Sequence, residues 1–236
     1  MARTIILSAC LVLSFAAPSA GERAGAPRCP ATLANQLAST GSATQLVTVV
    51  ARRRASTTGT LRSWRKSGDC WLPVAGPWPA LLGQRGVSSH HREGDRTTPA
   101  GAYGFGRVMY GVAPNSGARY AYHRLVCGDW WVEDPLSPYY NRFHHVRCGA
   151  RPPFRVTSED MSRSPTAYRH LAVIRYNSDP IVPGRGSGIF LHADTGRPTL
   201  GCVSLPLAQL LTVLGWLRRA SEPLIVIGTR AEIRRY

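Results

Sequence analysis

The feature that most constrains the fold is a series of short apolar runs, rich in Val, Ile, Tyr and Phe and separated by Gly, Pro, Asn and Asp. Runs of this length and composition are typical of β-strands, and the residues between them are typical of turns. The runs are TQLVTVVA (44–51), TTGTLRSWRK (57–66), GAYGFGRVMYG (101–111), RYAYHRLV (119–126), HLAVIRYN (170–177) and GSGIFLH (186–192). The sequence therefore predicts a mainly β domain.

One segment near the end of the chain differs from these runs. Its leucines recur at the three- and four-residue spacing that places side chains on one face of a helix. They are Leu207, Leu210, Leu211, Leu214 and Leu217. Pro206 suits a first helical turn and Ser204 suits a cap, so the spacing predicts one helix over residues 206–219. A buried closing strand is expected at 223–228.

The chain has 236 residues and 44% hydrophobic content, which is enough for one well-buried domain. Residues 1–26 are predicted to be a secretory signal peptide with a short linker, because Arg3 precedes an apolar run that small residues follow. Residues 27–236 then form the folded domain. No later stretch has the apolar length needed to cross a bilayer, so an exported protein without a membrane span is expected.

Five cysteines follow the predicted signal peptide, which contains Cys10. Disulfides persist in the oxidising compartment that export implies, and an odd number leaves one thiol unpaired. Cys202 is the candidate free thiol because it follows a strand-turn segment that ends in glycine, whereas the other four lie in loop-like sequence. Of the three pairings that the four allow, the one that closes two local loops is favoured. It joins Cys29 to Cys70 and Cys127 to Cys148.

The formal charge is +16, and Lys66 is the only lysine. Such a charge attracts polyanions. The arginines are mostly scattered, and no aromatic-rich RNA motif or DNA-reading helix accompanies them. We therefore expect anionic cell-envelope polymers as partners, and no nucleic acid.

The segment LHADTGRPTLGCVSLP (191–206) places a histidine and a cysteine ten residues apart. A thiol accepts an acyl group only as the thiolate, which needs a base or a positive field, and the reaction needs donors for the oxyanion. A hairpin would put His192 opposite Thr199, and Gly201 would let the chain bend to bring Cys202 closer. The start of the predicted helix would favour the thiolate. The amides of Gly201 and Cys202 are the candidate oxyanion donors.

The same two residues also have a structural interpretation. A lone histidine and cysteine at this spacing often serve only in packing. The odd cysteine count, the expected export and the preceding glycine all favour catalysis. With them, the catalytic and structural interpretations are equally supported. Two side chains are too few for zinc, which needs three or four ligands, and the other histidines have no ligand spacing, so no metal is expected.

Several segments, taken in order, carry a family resemblance. GSGIFLHADTGRPTLGCVSL (186–205) resembles the active-site segment of the L,D-transpeptidase catalytic domain, the YkuD-like family. REGDRTTPAG (92–101) resembles its TPxG segment, and CGDWWVEDPLSPYYNR (127–142) and HLAVIRYNSDPIVPGRGSG (170–188) resemble a variant in exported bacterial proteins. The resemblance implies a β-sandwich or barrel-like domain with the helix following the catalytic cysteine.

The resemblance also implies roles for individual residues. Cys202 becomes the nucleophile, His192 the base, and Gly201 with the Cys202 amide the oxyanion donors. The substrate is a peptidoglycan tetrapeptide stem, from which D-Ala is released, and an amine of a second stem takes the thioester to form a cross-link between two third residues. This implies a location in the cell wall or periplasmic space and no cofactor. The candidate substrate contacts are Thr199, Ser204, Tyr140, Asn141 and Arg92.

The chain departs from the common family pattern at its catalytic segment. That pattern has SHGC with an arginine or asparagine two residues after the cysteine, whereas this chain has Leu200 before the glycine and Ser204 after the cysteine. The spacing from histidine to cysteine is also shorter. Because these changes affect acceptor use most, hydrolysis of the same peptides is one alternative. A non-catalytic cationic envelope-binding protein is another. A sortase-like interpretation is disfavoured because no arginine follows within residues 203–217.

Overall fold

The structure is a computed structural model that describes residue 1 and residues 29–157 and 160–236. The predicted signal peptide and its Cys10 lie outside the described residues apart from Met1, so this segment stays a prediction. In the part of the chain that is described, no helix combines the length and the apolar character needed to cross a membrane.

Thirteen strands and one α-helix make up the regular structure of the described residues, and they confirm the predicted mainly β class. The strands are β1 (Gln45–Ala51), β2 (Thr58–Ser67), β3 (Cys70–Leu81), β4 (Val87–Ser88), β5 (Thr98–Pro99), β6 (Gly101–Gly111), β7 (Ala121–Arg124), β8 (Asp129–Trp131), β9 (Phe143–His145), β10 (Leu171–Ile174), β11 (Phe190–Ala193), β12 (Val203–Leu205) and β13 (Leu224–Thr229). The helix is α1 (Leu207–Trp216). Short 3-10 helices span Ala34–Gln36, Met161–Arg163, Ala167–Arg169, Arg219–Ser221 and Ile233–Arg235.

Eight strands close into a ring. They follow the order β10, β11, β12, β3, β2, β1, β13, β6, and β6 pairs back to β10. β7 lies outside this ring and pairs in parallel with residues 108–111 of β6. Closure satisfies the backbone hydrogen bonds that an open sheet would leave exposed at its edges, which is the barrel-like arrangement expected.

The sequence pattern missed β3, the longest strand. Its sequence CWLPVAGPWPAL contains three prolines, which cannot donate to a neighbouring strand and normally argue against a strand. The structure accommodates them because β3 pairs along its length with β2 but meets β12 at a single position, Leu81 with Ser204. The other edge of β3 therefore needs few backbone donors.

One core joins the ring to the helix. Apolar side chains from all eight strands of the ring pack with Leu210, Val213 and Leu214 of α1, which are at most 2% exposed. The helix is therefore present, although it is shorter than predicted. Its cap position is Pro206 without a side-chain hydrogen bond, so the predicted Ser204 cap is wrong. Ser204 instead continues β12.

Two further apolar clusters cover the other face of the sheet. The first lies on β1, β2 and β13, is covered by residues 33–43 and 233–236, and includes Leu46, Trp64 and Val226. The second lies on β6, β10 and β11. It packs beneath residues 127–148, and Cys202 is at its margin.

Two disulfides occur in the structure, and they have the pairing favoured from the sequence. Cys29 bonds to Cys70 and Cys127 bonds to Cys148, which leaves Cys202 as the free thiol among the described cysteines. The second bridge closes the segment that carries β8 and β9. Below, residues 127–148 are called the disulfide segment.

The buried carboxylate of Asp129 connects the disulfide segment to the neighbouring strand β7 by hydrogen bonds. Asp129 is fully buried and accepts hydrogen bonds from His123 Nε2 at 2.8 Å, His145 Nδ1 at 2.7 Å and the Val126 amide at 2.8 Å. Burial raises the pKa of Asp129, but these three bonds outweigh it and leave the pKa below its usual value. Because His123 lies in β7, which pairs with β6, this carboxylate links the segment to the ring through β7.

Removing the Cys127–Cys148 disulfide should lower the free energy of unfolding by a measurable amount. The disulfide closes 21 residues, and loss of such a constraint on the unfolded chain costs about 3 kcal/mol. We expect Cys127→Ser/Cys148→Ser to lower the urea midpoint of unfolding. Cys202→Ser, which removes a thiol but no cross-link, is the control and should change the midpoint far less. Equal midpoints for the two variants would show that the bridge adds no stability.

Candidate active site

The segment that carries Cys202 returns to the sheet in parallel with β11. The registered pairs are Leu191 with Val203 and His192 with Ser204, so the expected hairpin with Thr199 opposite His192 is wrong. Thr199 instead bonds to the turn directly after β3: its amide donates to the Leu82 carbonyl and its carbonyl accepts from the Gln84 amide, both at 2.8 Å. These two bonds carry the chain across the end of β3 before it turns back.

The Cys202 thiol is held by backbone groups. Its sulfur donates to the Gly188 carbonyl at 3.3 Å and accepts from the Phe190 amide at 3.3 Å. Burial raises the pKa of Cys202 to about 12, the Phe190 bond lowers it in part, and the charge of Glu133 raises it further. The thiol is therefore protonated at neutral pH.

Lowering of this pKa by the helix was expected, and that expectation is wrong. α1 begins at Leu207, and the three residues of β12 stand between it and Cys202. Three strand residues span about 10 Å, which is beyond the first turn where a helix terminus acts on a charge.

His192 lies on β11 and is 7% exposed. Its Nδ1 lies 2.8 Å from the Ala193 carbonyl oxygen, and since a carbonyl only accepts, we assign the proton to Nδ1 and the lone pair to Nε2. Burial lowers the pKa of His192, and the Ala193 bond with the charge of Asp194 offsets this only in part. The ring is therefore a neutral imidazole with a basic Nε2.

The strand register relates the two side chains. Continued by one residue, the pairing sets Cys202 opposite Phe190, and the bond from the Phe190 amide to the sulfur fits that position. His192 follows Phe190 by two residues on the same face of β11. Adjacent strands then give a Cα separation of about 8 Å between Cys202 and His192.

Gly201 is confined to glycine by its backbone and its neighbours. Its φ of +151° lies in a region that other residues rarely adopt. A Cβ there would stand 3.1 Å from the Thr97 carbonyl oxygen and 3.2 Å from Ile189 Cδ1. The bend expected at this residue is therefore present, and it directs the chain into β12.

Two threonine hydroxyls hold the backbone at the nucleophile. Thr199 Oγ1 donates to the Cys202 carbonyl at 2.7 Å and accepts from the Gly201 amide at 3.2 Å. Thr98 Oγ1, fully buried, donates to the same carbonyl at 3.2 Å and accepts from the Gly83 amide at 2.8 Å. The Gly201 amide is thus engaged within its own loop, and the role of the Gly201 and Cys202 amides as oxyanion donors stays a prediction.

Sequence reasoning assigned no part in the site to Thr98. Thr98 and Pro99 form β5, which pairs with β4 in parallel. The resemblance of REGDRTTPAG to a family segment was the available signal, since it linked these residues to the catalytic segment.

The remaining predicted substrate contacts occupy different surroundings. Ser204 is 1% exposed within β12 and its hydroxyl has no hydrogen-bond partner. Tyr140 is buried and donates to Glu93, and its oxygen accepts from the Gly186 amide. Arg92 is exposed on the loop after β4. In this conformation the structure brings only Thr199 and Ser204 next to Cys202.

Asn141 supports the chain that holds the thiol. Its Oδ1 accepts from Trp131 Nε1 at 2.9 Å and from the Gly188 amide at 3.1 Å, while its Nδ2 donates to the Tyr176 carbonyl at 3.1 Å. Since the Gly188 carbonyl accepts from the Cys202 thiol, Asn141 connects the disulfide segment to the nucleophile through one residue.

Glu133 is a site residue that sequence reasoning missed. Its Oε1 stands 2.7 Å from where a Cβ on Gly188 would be, so this carboxyl lies against the residue that binds the thiol. Burial raises the pKa of Glu133 to about 7, and the charge of Glu93 adds to the effect. The only signal in the sequence was an acidic pair directly after two tryptophans and a valine in WWVED (130–134).

The arrangement can perform acyl transfer through sulfur. It combines a free thiol, a neutral imidazole with a basic nitrogen on the same sheet face, and a backbone bend that sets the thiol at the end of a strand. A thiol and an imidazole on neighbouring strands are the two groups that cysteine-dependent acyl transfer uses.

Comparison with known proteins identifies the family. A family model described as the L,D-transpeptidase catalytic domain (YkuD) matches residues 47–233. The chain belongs to this family, as the resemblance predicted, and the family acts on peptidoglycan stem peptides.

Among solved structures, the chain is similar to the helical cell shape determining protein Pgp2 from Campylobacter jejuni, with 14% identity and a TM-score of 0.39. The similarity covers 82% of this chain and 50% of that one, so the chain spans about half the length of that protein. No curated protein matches the chain.

Glu133→Gln should make Cys202 more reactive at alkaline pH. Removing the carboxylate charge lowers the pKa of the thiol, and alkylation should become about two- to tenfold faster near pH 9. The difference should vanish near about pH 5, where Glu133 with its pKa of about 7 is protonated and uncharged in the parent protein. The measurement is the rate of iodoacetamide labelling by intact mass.

Asp69→Asn is the matched control for that experiment. It removes a carboxylate from an exposed turn between β2 and β3 and should leave the labelling rate unchanged at both pH values. An equal effect of the two variants would show that Glu133 does not act on the thiol.

Proposed function

We propose that the protein is an exported peptidoglycan L,D-transpeptidase with Cys202 as nucleophile and His192 as base. The observation that carries this proposal is the free thiol bound between Gly188 and Phe190 on the same sheet face as a neutral histidine. Membership of the YkuD family supports the substrate class.

The first half-reaction forms a thioester. His192 Nε2 takes the thiol proton as sulfur attacks the carbonyl of the third stem residue, and the C–S bond forms. The C–N bond to D-Ala then breaks, and the proton passes from His192 to the leaving amine. Because the pKa of the resting thiol is raised, proton transfer accompanies attack and no standing thiolate is required.

The second half-reaction releases the thioester to an acceptor amine. The side-chain amine of a second stem attacks the thioester carbonyl, the new C–N bond forms, and the C–S bond breaks with a proton returning to sulfur. The product joins two third residues. Attack by water in place of the amine would release a tripeptide, so the acceptor decides between transfer and hydrolysis.

Charge and disulfides support the proposed location. A formal charge of +16 favours contact with anionic cell-wall polymers, and the two disulfides fit an oxidising compartment. We therefore place the protein in the cell wall or periplasmic space after export.

A single assay tests the activity. The protein is incubated with a disaccharide tetrapeptide, and D-Ala release and products are followed by mass spectrometry. We expect a cross-linked dimer, loss of activity by more than about a thousandfold in Cys202→Ala, and a loss of about 10²- to 10⁴-fold in His192→Gln.

Ser67→Ala is the control for these variants, since Ser67 is exposed and pairs with Cys70 at the end of β2 and β3 opposite to the end where Leu81 meets Ser204. Its activity should equal that of the parent. A tripeptide as the sole product identifies a hydrolase. Unchanged D-Ala release in Cys202→Ala refutes the thioester mechanism, and no release by the parent supports the non-catalytic alternative.

A further inference from the structure

A cleft lies between the disulfide segment and the outer face of β6 and β10. Its volume is about 530 Å³, within the range of sites that hold small ligands. Tyr110 and Val173 line it from the ring, and Trp131 and Phe143 line it from the disulfide segment. The disulfide segment and the ring therefore form its two walls.

The cleft is connected to the nucleophile by direct contacts. Trp131, which lines the cleft, packs edge-on against Phe190 with ring centroids 5.2 Å apart, and the Phe190 amide donates to the Cys202 sulfur. Tyr110 and Val173 belong to the same apolar cluster as Phe190 and Cys202. A ligand that reaches the thiol along this face therefore passes the cleft.

All the charged side chains that line the cleft are positive. Arg107, Arg142 and Arg175 line it and are exposed, and its lining contains no Asp or Glu. None of the three joins an ion pair with another described residue. Three uncompensated guanidinium groups around one opening attract an anion, and their planar donors match a carboxylate.

Apart from Asn141 and Ser178, the rest of the lining is mainly apolar. Val108, Tyr110, Trp131, Phe143 and Val173 form most of the wall beneath the arginines. This combination suits a hydrocarbon chain that ends in a carboxylate more closely than a fully hydrated polyanion, because the chain covers the apolar wall while its end meets the arginines.

We propose that this cleft binds a free carboxylate of the stem peptide whose carbonyl is presented to Cys202. The inference rests on the proposed function, since it takes a peptidoglycan stem as the donor. From the carbonyl that Cys202 attacks, the terminal carboxylate lies about 4 Å away and the side-chain carboxylate of a diamino dicarboxylic third residue about 8 Å away. The contact between Trp131 and Phe190 brings the wall of the cleft next to the residue whose amide binds the thiol. The carboxylate can belong to the side chain of the third residue or to the terminal D-Ala.

Binding to the Cys202→Ala protein tests the proposal without turnover. A fluorescent tetrapeptide with a diamino dicarboxylic third residue is titrated by anisotropy, beside one peptide amidated at that side chain and one amidated at the terminus. We expect one of the two amidations to weaken binding by about tenfold or more, and it identifies the carboxylate that is bound.

Arginine variants in the same Cys202→Ala background assign the effect to the cleft. Arg107→Gln, Arg142→Gln and Arg175→Gln should weaken binding of the free-carboxylate peptide, and their combination should bind it no better than the amidated one. The amidated peptide should lose little further affinity in the combined variant, because the two changes remove the same interaction. Arg65→Gln, on exposed β2 surface, makes an equal change in net charge and should have no effect.

Three results would overturn the proposal. They are equal binding of free and amidated peptides, unchanged binding in the combined arginine variant, and arginine-dependent binding of a glycerol phosphate oligomer where the peptide does not compete. The last result would make the cleft a site for wall polymers. D-Ala release by the parent protein tests the proposed function separately, so failure of one is distinguishable from failure of the other.

Discussion

The parallel pairing of β11 with β12 is the constraint on which the candidate site depends. It places His192 opposite Ser204 and sets Cys202 beside Phe190, so that the proposed nucleophile and base share one face of the sheet. A connection this short forms between parallel strands because Thr199 bonds to the end of β3 on the way. Glycine at 201 then admits the φ that returns the chain to the sheet. The position of the site therefore depends on both the strand pairing of the ring and the bend at Gly201.

The electrostatics of the site favour a neutral resting state. Burial raises the pKa of the Cys202 thiol and of the Glu133 carboxyl and lowers the pKa of His192. Each shift favours the uncharged form, as expected where charges leave water without a strong partner. In the proposed mechanism, charge develops only when the sulfur attacks the substrate carbonyl. This resting state differs from that of a cysteine at a helix N-terminus, where the helix dipole stabilises the thiolate before substrate binds.

The disulfide segment packs over the sheet, and it also positions the residues around Cys202. Its Asp129 fastens it to β7, its Asn141 holds the Gly188 backbone that binds the thiol, and its Trp131 walls the cleft. Because one closed segment supports the nucleophile and lines the approach to it, loosening the segment would disturb both. The proposed carboxylate site adds a use for part of the excess positive charge, which otherwise has few acidic partners in the described chain.

The sequence by itself determined the strand-rich class and the helix after Cys202, because local periodicity records them. The odd number of cysteines after the predicted signal peptide indicated one free thiol, and loop length favoured, without deciding, the pairing that the structure shows. Single-strand patterns could not show β3, whose prolines are tolerated only because one of its edges is nearly free. Nor could spacing show that His192 and Cys202 lie on neighbouring parallel strands, since that follows from Thr199 bonding to residues more than a hundred positions earlier. The roles of Thr98 and Glu133 at the thiol arise in the same way. Only the tertiary structure decides contacts between distant residues and the desolvation that sets their pKa values, because both depend on what the closed ring brings together.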